Sequence, residues 1–362
     1  MKQLGVSIYP SKSDLEEDKA YLKLASSYGF TRIFTSLLEI SGDRDEVIEK
    51  YKKITEYGNS LGMNTTLDIN PRLFDQLEIG YDDLSFFAEI GADSIRLDLG
   101  FSGKEEALMT KNEHGLKIEV NMSSGTKYID NVMSYQPEKT NLIASHNFYP
   151  MRYAGLSREH FDQTTAQFNQ YNLNTSAFIS SQVGEIGPWP VQTGLCSLEE
   201  HRDLPLELQV THYKLMDTID DLIIGNAYAS EEELRKASEA FFSPHPLIPV
   251  VLEEKISDLE KKLVLEELHT YRGDRSEYLL RSTHTRVKYK EEDFPVVKVD
   301  AVKAGDIVIG NNNFGQYKGE TQIILRDIKD DASRNVVGQL TKDMKEIISD
   351  LKPWSTFKMI EA

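Results

Sequence analysis

Three short stretches of the chain set a carboxylate between apolar neighbours: TTLDIN (65–70), SIRLDLG (94–100) and KIEVNM (117–122). In an extended strand, successive side chains face opposite sides. Leu67 and Ile69, then Ile95, Leu97 and Leu99, then Ile118 and Val120, therefore share one side. Thr66, Asp68 and Asn70, then Arg96 and Asp98, then Glu119 and Asn121, share the other. Burying a carboxylate without a partner is strongly unfavourable. Arg96 offsets one of the three, and the others ask for a chemical reason. Two carboxyl groups facing one small space suit acid–base work on a glycosidic bond, where one gives a proton and the other acts as nucleophile or base. Glu119 has the longer reach and is expected to be the acid. Asp98 is its expected anionic partner, with Asp68 as the third candidate.

Other polar clusters surround this set. HNFYPMRYAGLS (146–157) brings His146, Asn147 and Tyr149 together, and rings beside hydrogen-bonding groups suit a sugar. Phe148 is expected to pack under helices. GEIGPWPVQTGLCSLEEHRDLP (184–205) is rich in glycine, with Gly187 and Gly194, and enters a helix at Ser197 with Glu199 and Glu200 in its first turn, a capping-box pattern. A glycine-rich loop before a helix N-terminus offers backbone donors to a phosphate. A second anion candidate is YLLRST (278–283), with Arg281 leading and Ser282 assisting. Arg272 of HTYRGD (269–274) lies nearby in sequence.

The elements that position these groups alternate. Strand-like runs at 3–9, 32–37, 63–70, 94–100, 117–122, 141–149, 175–181 and 220–228 are interleaved with helical segments such as 14–28 and 45–61, each of these two ending near a glycine, Gly29 or Gly62. Eight strands in alternation with helices predict a TIM-like (β/α)8 barrel over residues 1–240, with its site at the C-terminal ends of the strands. The glycine-rich turn that an open dinucleotide-binding sheet carries after its first strand is missing from the sequence. The link between the fourth and fifth strands is short and shows no clear helix. After the proline-rich FFSPHPLIPV (241–250), read as a linker, β-like runs dominate: HTRVKY (284–289), FPVVKV (294–299), DIVIG (306–310), TQIILRDI (321–328) and NVVGQL (335–340). A small β-barrel domain is expected over 241–362.

The formal net charge of −18 argues against a nucleic-acid partner. No apolar run approaches the roughly 20 residues of a membrane span. The N-terminus shows no signal peptide, and Cys196, the single cysteine, excludes an intramolecular disulfide. A soluble cytoplasmic protein is the simplest expectation. The sequence does not fix an oligomeric state.

At GVSIYP, LDIN, IRLDLGF, IEVNMS, HNFYP…AGLS, GPWPVQTGL…LEEHR and DDLIIGNAYAS, and then at YLLRST, GDIVIGNNNFGQYKGE and NVVGQL, the sequence resembles the 6-phospho-N-acetylmuramidases. The resemblance spans nearly the whole chain. It implies a TIM-like barrel followed by a cyclophilin-like β-barrel. It also implies cytoplasmic hydrolysis of a 6-phosphorylated N-acetylmuramic acid–N-acetylglucosamine disaccharide in cell-wall recycling, with no cofactor. Cys196-Ser197 stands where the family often has Pro-Thr. Rival readings are a metal-dependent sugar-phosphate isomerase or hydrolase, a pyridoxal-phosphate racemase and a non-catalytic sugar-phosphate sensor. The eight histidines form no His-x-His or HExxH pattern, so no metal is expected, and no inward strand-end lysine stands ready for a Schiff base. A peptidyl-prolyl isomerase role for the second domain would rest on fold alone.

Overall fold

A computed structural model describes residues 2–38, 44–189, 193–297, 301–329 and 332–362. It divides into two compact units. One comprises Met1–Val210 with Asp217–Phe241, the other Thr211–Met216 with Phe242–Ala362.

The first unit is a closed barrel of eight parallel strands in sequential order. They are β1 (Leu4–Ser7), β2 (Arg32–Ser36), β3 (Asn64–Ile69), β4 (Ser94–Leu97), β5 (Lys117–Asn121), β6 (Leu142–Ser145), β7 (Asn174–Ile179) and β8 (Asp221–Ile224). β1 pairs with both β2 and β8, which closes the ring. The outward aliphatic side chains of the strands are fully buried, among them Leu67, Ile95, Ile118 and Val120. The helices Leu15–Ser27 and Arg44–Ser60 follow the expected periodicity, and Asp14 caps the first through the N–H groups of Glu16 and Glu17. The link between β4 and β5 does contain a helix, Lys104–Met109, contrary to expectation. It is short, and Glu106 fixes its start by accepting from the N–H groups of Phe101 and Gly103.

The second unit is a smaller, nearly closed β-barrel of the cyclophilin-like kind. Its strands are β9 (Leu247–Leu252), β10 (His269–Thr270), β11 (Leu279–Ser282), β12 (Asp306–Gly310), β13 (Thr321–Ile324), β14 (Arg334–Leu340) and β15 (Thr356–Glu361). They run in the order β10-β15-β9-β14-β12-β13-β11, and a bridge between Tyr271 and Ser282 draws the two edges together. Three expectations change here. The stretch read as a linker holds β9, which pairs with both β14 and β15. HTRVKY is a helix, His284–Lys288. Residues 294–297 form no strand, and the remainder of FPVVKV, 298–299, lies outside the described residues.

Candidate active site

The inner face of the barrel is split. Arg32, which opens β2, pairs with Glu119 and lies 3.5 Å from Asp221. Its guanidinium also bonds Thr66 and Ser176. Glu119 has no exposed surface, and its Oε1 has no hydrogen-bond partner. Two residues further along their strands, towards the C-terminal ends, Phe34, Phe178 and Ile223 form an apolar cluster. Phe148 packs on it edge-on, 6.0 Å from Phe34 and 5.0 Å from Phe178 by ring centroids. Phe148 therefore lines the inside of the barrel end instead of lying under the helices.

Across from these rings sits a polar cluster centred on Arg96. Its Nη1 is 2.6 Å from Asp68 Oδ1 and 3.6 Å from Asp98 Oδ1. Its Nε donates to Ser145 Oγ at 2.8 Å, and its Nη2 donates to Asn147 Oδ1. Burial opposes the Arg96 charge, but Asp68, Asp98 and Glu119 outweigh it and hold the group above its ordinary value. Asp68 is buried, and desolvation pushes its carboxyl up to about 7 despite Arg96. Asp98 differs: its side chain is 34% exposed.

The structure thus brings Asp68, Asp98, Asn147 and Arg96 together. Tyr149 is half-buried, and both Arg96 and Asp98 act on its phenol, which burial raises. Asn121 holds the cluster from behind, donating to Asp98 O at 3.0 Å and accepting from Ser123 N at 2.9 Å. Three expected site residues are engaged elsewhere. Glu119 is drawn towards the start of β2. Asn70 caps the helix Pro71–Gln76 through Leu73 N. His146 points outward, stacked on Phe161 at 4.2 Å and bonded to Ser123 and Thr165. Burial drives its imidazole down to about 3, so it is neutral near pH 7.

The loop after β7 is stitched shut. Ser197 caps no helix: its hydroxyl accepts from Phe178 N, and only the single turn Glu199–His201 follows. Glu199 instead accepts from Tyr153 N and Gly155 N and pairs with Arg202 at 2.7 Å. Arg202 in turn donates to the carbonyls of Tyr149, Thr193 and Gly194. Gly187 is buried, and Gly194 takes φ +89° against Ser180, a conformation that a Cβ would strain. Among the described residues, Ser197 therefore opens no helix that could bind a phosphate, and the next helix, Leu206–Met216, begins only after Pro205. In the second unit, Arg281 forks onto Glu320. Ser282, one residue on, faces the opposite side and bonds His269 and His284, so it does not assist Arg281. Arg272 pairs with Asp274 at 2.5 Å.

Sequence reasoning passed over Arg32, Asp221, Arg202 and Glu320. For Arg32 the signal was available, since the alternation in RIFTS puts it on the same side as Thr35's neighbours Phe34 and Ser36.

Family models for the N-terminal and C-terminal parts of 6-phospho-N-acetylmuramidase match residues 4–239 and 246–360. The chain belongs to this family. Membership makes it a glycosidase acting on a disaccharide that carries 6-phospho-N-acetylmuramic acid. A solved structure of an uncharacterized B. cereus protein is 43% identical, with a TM-score of 0.92 and 99% of each chain covered. A conserved protein of unknown function from Enterococcus faecalis shares the fold at 22% identity and a TM-score of 0.73, covering 99% of this chain and 96% of its own. No curated protein matches the chain. Among the described residues, no helix is long and apolar enough to cross a membrane.

Proposed function

We propose that this 6-phospho-N-acetylmuramidase cleaves its substrate at the C-terminal end of the barrel, with Asp68 as acid and Asp98 as the group that meets the anomeric carbon. The observation that supports this reading is the contrast between two carboxyls on one guanidinium nitrogen. Asp68 is buried and retains its proton up to about pH 7, while solvent reaches Asp98. Two carboxyls set apart by environment are what acid and nucleophile roles need. Glu119 takes a positioning role in this scheme, because it pairs with Arg32, whereas Asp68 shares Arg96 with the solvent-reached Asp98.

Sharing Arg96 Nη1 at 2.6 and 3.6 Å keeps the nearest oxygens of the pair close. Two oxygens held at 2.6 and 3.6 Å from one nitrogen cannot stand as far apart as the roughly 6.5–9.5 Å of inverting enzymes, which supports the retaining arrangement. In the first step Asp68 gives its proton to the bridging oxygen as the C1–O bond breaks, and an Asp98 oxygen bonds to C1. In the second, Asp68 takes a proton from water, which displaces Asp98 and releases the sugar with its anomeric configuration retained. Arg96, fixed by Ser145 and Asn147, holds both carboxyls in place. Phe148, half-buried and backed by Phe34 and Phe178, offers the apolar side against which a sugar ring can rest.

We also place the protein in the cytoplasm, since a sugar carrying a phosphate dianion does not cross a bilayer unaided. The experiment for the activity is incubation with phosphorylated and unphosphorylated disaccharide, followed by mass analysis and proton NMR of the first product anomer. Cleavage of the phosphorylated form to the retained anomer is expected. Release of the inverted anomer would overturn the two-step scheme.

A further inference from the structure

A phosphate dianion binding to a protein of net charge −18 needs a local cationic site. The second unit contains such a group in a prearranged form. Glu320 has no exposed surface. It accepts from Arg281 Nε at 2.7 Å and Nη2 at 3.0 Å, and from Gln322 Nε2 at 2.9 Å. Those bonds already satisfy the buried carboxylate. Yet a second guanidinium approaches it: Arg286 Nη1 stands 3.4 Å from Glu320 Oε2. Among the described residues Arg286 makes no hydrogen bond of its own, and 21% of its side chain is exposed.

Both arginines lie over one ring. Their guanidinium carbons are 5.4 Å (Arg281) and 4.9 Å (Arg286) from the Tyr317 centroid. The short helix carrying Arg286 is pinned, because Thr285 Oγ1 donates to Ser282 O and accepts from Thr321 N. Two cations are thus gathered around one carboxylate and one ring, leaving the group with a net positive charge. For a phosphate Arg286 is a donor fork with partner bonds still to make, held on an aromatic face so that little entropy is lost on binding.

We propose that Arg286, with Arg281 beside it over Tyr317, is the ligand for the phosphate monoester of a 6-phosphorylated sugar, and that Glu320 is the positioning residue that sets the two forks. This rests on the reading that the substrate is phosphorylated, and it shifts the leading role from Arg281 to Arg286. Arg281 is already committed to Glu320 at both nitrogens, whereas Arg286 is not.

The test is calorimetric binding to the full-length protein of N-acetylmuramic acid 6-phosphate, N-acetylmuramic acid and inorganic phosphate. Arg286→Gln should weaken the phosphorylated sugar about ten- to a hundredfold, the usual loss for a charged hydrogen bond. It should leave the unphosphorylated sugar unchanged, and Arg286→Lys should recover part of the loss. Thermal unfolding of each variant checks that the second unit remains folded. If Arg286→Gln is unfolded, Arg286→Lys alone decides, because loss of the fork should still cost discrimination. Arg286→Gln should weaken inorganic phosphate as well, and an unchanged phosphate affinity in the folded variant counts against the proposal. Undiminished preference for the phosphorylated sugar in a folded Arg286→Gln protein overturns it. Failure here is separable from failure of the barrel chemistry: Asp98→Asn and, on the natural disaccharide, Asp68→Asn should lower turnover, a readout that the binding preference does not depend on.

Discussion

Replacing Asp68 with asparagine tests the acid assignment directly. The carboxyl holds its proton up to about 7 because burial outweighs Arg96. The sign follows: the acid form is complete below that value and is lost above it, so kcat/KM should fall on the alkaline side. The fall should approach tenfold per pH unit once the group is mostly ionised. Asp68→Asn keeps the shape, and Arg96 retains Asp98, Ser145 and Asn147. Loss of the proton donor should lower kcat/KM by about 10²–10⁴ on the natural disaccharide, the usual contribution of general acid catalysis. That is about 3–5 kcal/mol at about 1.36 kcal/mol per decade. An aryl glycoside of the same phosphorylated sugar leaves as a stable phenolate and needs no proton, so the variant should cleave it at close to the wild-type rate. The assay is a pH–rate profile of both enzymes on both substrates. An alkaline limb that survives in Asp68→Asn, or an equal loss on the two substrates, would refute the reasoning.

Other substitutions follow from the same geometry. Glu119→Gln removes the closer of two carboxylates at Arg32 and leaves Asp221 at 3.5 Å, so it should cost less than the about 3–5 kcal/mol of a fully broken buried pair in urea unfolding, while turnover at low temperature drops far less than in Asp68→Asn. Phe148→Ala removes one of three rings packed edge to face; KM should rise severalfold with kcat nearly unchanged, in line with about 0.5–1.5 kcal/mol for an aromatic contact. His146 is depressed to about 3, so the folded state binds fewer protons than the unfolded one between that value and about 6.5. Stability should therefore decline as pH drops through that window, and His146→Gln should show a shallower decline in acid unfolding curves.

The barrel was legible because its strands obey period 2 while they last. Asp68, Arg96 and Asp98 could be placed on one side from Leu67, Ile95 and Leu97 alone. The same rule fails beyond a strand's end. β6 stops at Ser145, and past it the chain turns Asn147 inward and lets Phe148 follow onto Phe34 and Phe178, which alternation forbids. Arg32 and Asp221 lay inside runs read as strands, 32–37 and 220–228, but inward polar positions were followed only on the third to fifth strands. β9 was hidden by its prolines, although Pro246 and Pro249 keep their carbonyls and accept from Lys358 N and Thr341 N. HTRVKY alternates like a strand, and only its folding as a helix brings Arg286 towards Glu320. Pairing across the barrel, such as Arg32 with Glu119, depends on stagger between strands that no single segment records.

Cys196 lies on the stitched loop after β7, fully covered, with burial pushing its thiol up to about 12. Its thiolate form is strongly disfavoured at neutral pH, and burial keeps the sulfur from solvent, so labelling of the folded chain by maleimides is expected to be slow without any mutation. A cysteine introduced at one exposed position in each unit would carry a dye or spin label with little background, and the distance between the two labels, read with and without sugar phosphate, would report directly on whether the units move during a catalytic cycle.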